Sequence, residues 1–181
     1  MSFLEYFFYK NLKYSFINKF KYSSLKNLPK IKKVTLTFKT KVPNLKIIAT
    51  SFLALEFISK KQSKNSFIVA RQQNLMLKIK KGNPIGCKVF LSKKKMFKFL
   101  EQLIFNVLLL FKKKQNNTNN PYEPQFTNNS CSLVIKNTTV IPQIGKFYSI
   151  FNVTDHLNLV INVTTRDKKT TAFIFKSFLI F

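Results

Sequence analysis

Leu75-Met76-Leu77-Lys78-Ile79-Lys80-Lys81-Gly82-Asn83-Pro84-Ile85-Gly86-Cys87-Lys88-Val89-Phe90-Leu91 is the stretch on which the fold turns. Leu75, Leu77 and Ile79 alternate with Met76, Lys78 and Lys80. Further on, Cys87, Val89 and Leu91 alternate with Lys88 and Phe90. Period-two alternation marks strands with one face on a core. Gly82-Asn83-Pro84 and Gly86 interrupt the pattern between the two runs and mark a turn. The spacing predicts three short strands from Ser66 to Leu91. It also predicts a projecting hairpin with a basic tip: Lys78, Lys80, Lys81 and Lys88.

Working outward, Ser92 is placed to cap a helix over Lys93 to Phe111. Its apolar stripe is Met96, Phe97, Leu100, Leu103, Ile104, Val107, Leu108 and Phe111. Lys93, Lys94 and Lys95 in the first turn oppose the helix dipole, and a nearby phosphate would reverse that. Upstream, Ile31 to Phe38 alternates as a strand. Val34, Leu36 and Phe38 share one face, and Lys33, Thr35 and Thr37 share the other. Leu45 to Lys60 reads as a helix with Ile48, Phe52, Leu55 and Phe57 inside. Phe3 to Phe20 carries Leu4, Phe7, Phe8, Leu12, Phe16, Ile17 and Phe20 at helical spacing, a basic amphipathic helix. Such a helix packs on a core with a solvated lysine face, or meets RNA or a membrane. Lys112 to Ser130 is polar and Asn-rich with Pro121 and Pro124, and reads as a long loop. Ser132 to Lys136 and Leu157 to Thr165 read as strands. Asp167 or Thr165 caps a final short helix through Ser177.

These elements predict an α+β chain: a mostly antiparallel sheet with two to three helices on one face and a projecting basic hairpin. One domain over 1–181 is expected, with an N-terminal helix and lead-in over 1–28 and an Asn-rich loop over 112–131.

Composition narrows the function. Thirty-two Lys and Arg against six Asp and Glu give +26 and a pI near 10.3 in 181 residues. Such an excess calls for a polyanionic partner, nucleic acid first and an anionic membrane surface second. Six scattered acids and the single His156 leave few metal ligands and few acid–base groups. No cofactor is expected. Cys87 and Cys131 form no CxxC and read as buried thiols. No stretch approaches the ~18 apolar residues of a membrane span. The start does not read as a signal peptide. Lys, Phe, Asn and Ile are abundant, and Arg71 and Arg166 are the only arginines, the usage of an A/T-rich genome.

The order of motifs resembles the large-subunit ribosomal protein L-five family, which binds 5S ribosomal RNA. Gly82-Asn83-Pro84-Ile85-Gly86-Cys87-Lys88-Val89, then Leu91 and Met96-Phe97-Lys98-Phe99-Leu100, resembles the family's G-x-P-I-G-C-K-V-T-L and the helix after it. Phe20 to Ser24, Leu28 to Leu36, Ala70-Arg71, Ile141 to Ile144 and Val160 to Thr165 resemble further family segments in the same order. The resemblance covers roughly Phe3 to Phe181. Departures are Thr37-Phe38-Lys39-Thr40-Lys41 for N-M-G-V-G, Val69-Ala70-Arg71-Gln72-Gln73 for K-A-R-K-S, and a region after Phe111 with no glycine of the family's loop.

The resemblance implies a structural constituent of the large ribosomal subunit, not an enzyme. It implies binding of 5S and large-subunit ribosomal RNA in the central protuberance, beside neighbouring ribosomal proteins. By position the RNA contacts fall on Tyr22, Ser24, Asn27, Lys30, Lys33 and Arg71. The hairpin would meet the peptidyl-site tRNA through Lys78, Lys80, Lys81, Gly82, Asn83, Pro84 and Ile85. With the A/T-like composition, the expected place is the mitochondrial ribosome in the matrix, encoded in the organelle. A plastid or an A/T-rich bacterium are the alternatives. Two other functions fit parts of the sequence: a basic peripheral membrane-surface protein acting through the first helix, and a divergent enzyme using Cys87 or His156.

Overall fold

A computed structural model describes residues 2–20, 22, 27–40, 44–59, 65–108, 124–151, 154, 156–165 and 167–179. They group into two compact units. One comprises Met1–Val34, Ser92–Leu133 and Val160–Phe181; the other Thr35–Leu91 and Val134–Leu159.

In the first unit, helix α1 runs as an α-helix over Phe3–Phe7, a π-helical stretch over Phe8–Leu12 and an α-helix again over Lys13–Lys19. Ser2 caps its start, the hydroxyl accepting from the Glu5 N–H at 3.2 Å. Leu4, Phe8, Leu12 and Phe16 are buried. Residues four apart drift by about 40° per step around a regular α-helix. The wider π turn takes up that drift and keeps the four on one face. Ile17, expected on the same stripe, is exposed.

This stripe meets helix α3. That helix spans Lys93–Leu103 and continues as a π-helical stretch over Ile104–Leu108. The Phe8 and Tyr9 rings lie 6.1 and 6.0 Å from Phe97. Ser92 stands at the N-cap in extended conformation but makes no side-chain capping bond. The last helix, α6 (Lys168–Leu179), sets Phe173 edge-on to Phe16 at 5.5 Å and Phe20 at 5.6 Å. Residues 109–123, most of the expected Asn-rich loop, lie outside the described residues. The loop's end is not loop: Gln125–Phe126 (β4) pairs antiparallel with Ser130–Ile135 (β5). Thr127 closes the turn, its N–H donating to the Ser130 carbonyl at 2.8 Å. Asn128 and Asn129, turn formers by composition, occupy the bend.

In the second unit, helix α2 (Leu45–Ser59) packs against strand β3 (Pro84–Leu91). Ile48 and Leu55 are buried as expected. Phe57 is not inside: Ser51, Ala54 and Ile58 take the inner positions, and Phe57 lies 5.1 Å from Phe147 and 5.8 Å from Phe151. Strand β2 (Asn65–Val69) pairs antiparallel with β3, with Phe67 opposite Cys87 and Val69 opposite Pro84. Two short helices unforeseen from the sequence follow β5: α4 (Pro142–Gly145) and α5 (Tyr148–Phe151).

Strand β1 (Ile31–Lys39) and strand β6 (Leu157–Val163) complete a six-stranded sheet of order β2-β3-β1-β6-β5-β4. The chain is α+β and its sheet antiparallel, as the patterning predicts. Val34, Leu36 and Phe38 are fully buried, and β6 alternates buried and half-buried along its length.

Candidate nucleic-acid interface

The expected middle strand over Leu75 to Lys80 does not form. Instead the connection from β2 to β3 is clamped at its base: the Ala70 N–H donates to the Asn83 carbonyl, and the Gly82 N–H to the Ala70 carbonyl, both at 2.9 Å. Gly82 has φ +89°, a left-handed conformation that favours glycine. Farther out, Asn74 and Ile79 form an isolated antiparallel bridge, each N–H donating to the other's carbonyl at 2.9 Å. Between them Leu75 to Lys78 turns. The Asn74 side-chain oxygen accepts from the Leu77 N–H at 3.2 Å, and Lys78 takes φ +52°. This side-chain bond, three residues on from Asn74, closes the turn and overrides the alternation of Leu75, Leu77 and Ile79.

The tip therefore moves. Met76, 97% exposed, and Leu75, 79% exposed, stand at the end of the connection. Arg71, Lys78, Lys80 and Lys81 line it, all exposed. Gly82 and Asn83 close its base. Pro84 opens β3, a strand start where its missing N–H is tolerated. Ile85 is half-buried in β3, its carbonyl accepting from the Thr40 N–H at 3.0 Å. Lys88 lies within β3 opposite Ser66, its ammonium 5.5 Å from the Phe90 ring centroid, away from the tip.

The expected RNA contacts of the first strand sit in the other unit. Lys30 and Lys33 are exposed on β1 and its lead-in, and Asn27 is exposed nearby in sequence. The Lys30 backbone is fixed to Thr164: its N–H donates to the Thr164 hydroxyl at 2.7 Å, and its carbonyl accepts from the Thr164 N–H at 2.9 Å. Tyr22 is half-buried. Burial pushes its phenol pKa up, the Asp167 carboxylate adds to this, and a hydrogen bond with Thr170 opposes it. Ser24 lies outside the described residues. Lys30, Lys33 and Tyr22 share one unit, whereas Arg71 and the connection belong to the second.

The alternative chemistry finds little support. Cys87 is fully buried and its thiol is pushed up to about 12 by burial, only partly offset by a backbone hydrogen bond at Phe38. A thiol that stays protonated is a poor nucleophile. His156 is exposed, its Nδ1 3.1 Å from the Lys136 carbonyl oxygen. Asp155 lies outside the described residues. Among the described residues no group of three His, Cys, Asp or Glu is placed to hold a metal. None of the described helices is long and apolar enough to cross a membrane.

An antiparallel α+β fold with exposed cations on a clamped connection and at a strand start defines a class: a basic α+β protein that presents lysines to solvent. No family model matches the chain. Individual relatives do. The large ribosomal subunit protein uL5m of Reclinomonas americana is 30% identical over 164 residues, 90% of this chain and 87% of its own length. The uL5 protein of Buchnera aphidicola subsp. Baizongia pistaciae is 29% identical over 77% of this chain and 76% of its own. The uL5 protein of Blochmanniella floridana is 34% identical over 58% of this chain, a match spanning about half (55%) of that protein. The chain belongs to the large ribosomal subunit protein uL5 family. It is a structural constituent of the large ribosomal subunit and not an enzyme.

Proposed function

We propose that the chain, as one domain over 1–181, holds 5S and large-subunit ribosomal RNA in the central protuberance of a mitochondrial ribosome and reaches the peptidyl-site tRNA. Tyr22, Ser24, Asn27, Lys30, Lys33 and Arg71 are the ribosomal RNA contacts. Lys78, Lys80, Lys81, Gly82, Asn83, Pro84 and Ile85 form the tRNA-facing connection. The observation that carries the reading is that connection: exposed cations held out from a two-strand base by paired backbone bonds. Lysines so placed neutralise phosphates, and A-form RNA is met through its backbone and 2′-hydroxyls. The mitochondrial assignment, with organelle encoding, is supported by the uL5m relative's coverage and by the A/T-like residue usage.

The test is the double change Lys80→Glu with Lys81→Glu, introduced into the ribosome-borne chain. Peptidyl-site tRNA occupancy falls while large-subunit assembly persists. Unchanged occupancy and unchanged translation would remove the tRNA contact from the reading.

A further inference from the structure

One cleft of the first unit shares only Lys30 with the contacts above. It measures about 400 Å³ and lies between α1 and the lead-in to β1, among Phe8, Tyr9, Phe16, Pro29, Lys13 and Lys30. That is the lower end of the size range of ligand sites. Its wall is aromatic where α1 takes its π turn, and π turns recur at functional positions. Phe8 and Phe16 are buried and form a fixed surface, whereas Tyr9 is 44% exposed. Tyr9 is steadied from behind, 5.5 Å from Phe8 and 6.0 Å from Phe97. Lys13 and Lys30 supply positive charge, and no acid stands in the lining among the described residues.

We infer that this cleft takes a single unstacked nucleobase of ribosomal RNA. Tyr9 stacks on the base, and Lys13 and Lys30 meet the phosphates on either side. The inference rests on the RNA-binding reading and adds a site to it. The chemistry favours a base over other occupants. A nucleobase has a flat π face for the tyrosine and carries its own anions for the lysines. A phospholipid brings an anionic headgroup for the lysines but no flat face for the ring. A second copy of the chain would bring another +26 against the first.

The test uses the full chain and two probes read by fluorescence anisotropy: a short single-stranded RNA of mixed sequence, and a fully paired duplex of the same sequence. Tyr9→Ala weakens the single strand about tenfold, the scale of one lost base–aromatic stack. It changes the duplex by less than about twofold, because the duplex is held through its phosphates. Tyr9→Phe keeps the ring and keeps the affinity. Zero-length ultraviolet crosslinking of the unaltered chain to the single strand places an adduct on Tyr9, which decides the matter even where Tyr9→Ala fails to fold. Equal loss for both probes, or crosslinks confined to β1 and the β2–β3 connection, overturns the cleft and leaves RNA binding standing. Absence of binding to either probe overturns the RNA reading itself. Binding to phosphatidylserine vesicles that depends on Tyr9, without effect on RNA, overturns the base site in favour of a membrane contact.

Discussion

A Cβ at Gly86 would collide with the carbonyl oxygen of Phe38 on the neighbouring strand, backbone against backbone. Neither strand can yield without breaking the pairing that the Ile85 carbonyl makes with Thr40. Gly86→Ala is therefore expected to lower stability by about 1–3 kcal/mol, the range for overpacking a closed interior. A fall in denaturation midpoint at constant slope is the reading that checks it. Next to it, Cys87 was legible as buried from alternation alone, and Cys131 joins it; both thiols are pushed up to about 12 by burial. In the unfolded chain they titrate near 8.5. Above that pH the unfolded state holds fewer protons than the folded one, so stability falls as pH rises from about 8.5 toward 12. Below about 8.5 the contribution is fully present. The double variant Cys87→Ala with Cys131→Ala is expected to lack this part of the alkaline loss when midpoints at pH 7 and pH 10 are compared. Equal alkaline losses in both chains would mean the thiols are not the cause. The collision at Gly86 was not legible, because alternation says which face a residue takes and nothing about how closely the next strand passes.

Between elements, legibility followed the strength of the pattern. Helix α1 was readable because Leu4, Phe8, Leu12 and Phe16 recur every four residues, although Phe3, Tyr6, Tyr14 and Ile17 stay exposed around them. Helix α2 was readable as a helix but not for its inner face. It is apolar nearly all round, so periodicity cannot choose the side. The sheet selected small residues, Ser51 and Ala54, and left Phe57 to the rings of Phe147 and Phe151. That selection has a consequence. The Ser51 hydroxyl is buried without a hydrogen-bond partner among the described residues. A buried unpaired polar group costs about 1–3 kcal/mol, and alanine is also the better helix former. Ser51→Ala is expected to stabilise the chain by about 1 kcal/mol or more, a rise in melting temperature of roughly 2–4 °C per kcal/mol at this size. A fall in melting temperature would mean that the hydroxyl holds a partner. The β2–β3 connection shows the opposite case. Its basic character was legible and its strand was not, because the Asn74 side chain closes a turn that alternation cannot reveal.

At the scale of the whole molecule, charge decides the behaviour of the free chain. Thirty-two cations stand against six carboxylates, so like charges far outnumber opposite ones. Such self-repulsion works against the compact state. Screening weakens it as the Debye length falls from about 30 Å at 0.01 M salt to about 8 Å at 0.15 M. The melting temperature of the isolated chain is therefore expected to rise with ionic strength, and a polyanion should raise it further by binding the folded state. The same salt should weaken RNA binding, by roughly 0.7–0.9 log unit in affinity per log unit of salt for each phosphate neutralised. Opposite signs in one titration series separate the two effects: stabilisation of the free chain and loss of the complex. A melting temperature that stays flat with salt would show that the cations are already spaced widely enough not to feel one another. The steep salt slope for RNA would then arise from the cations of the proposed contact surfaces alone, with Lys30, Lys33 and the β2–β3 connection as the first to change.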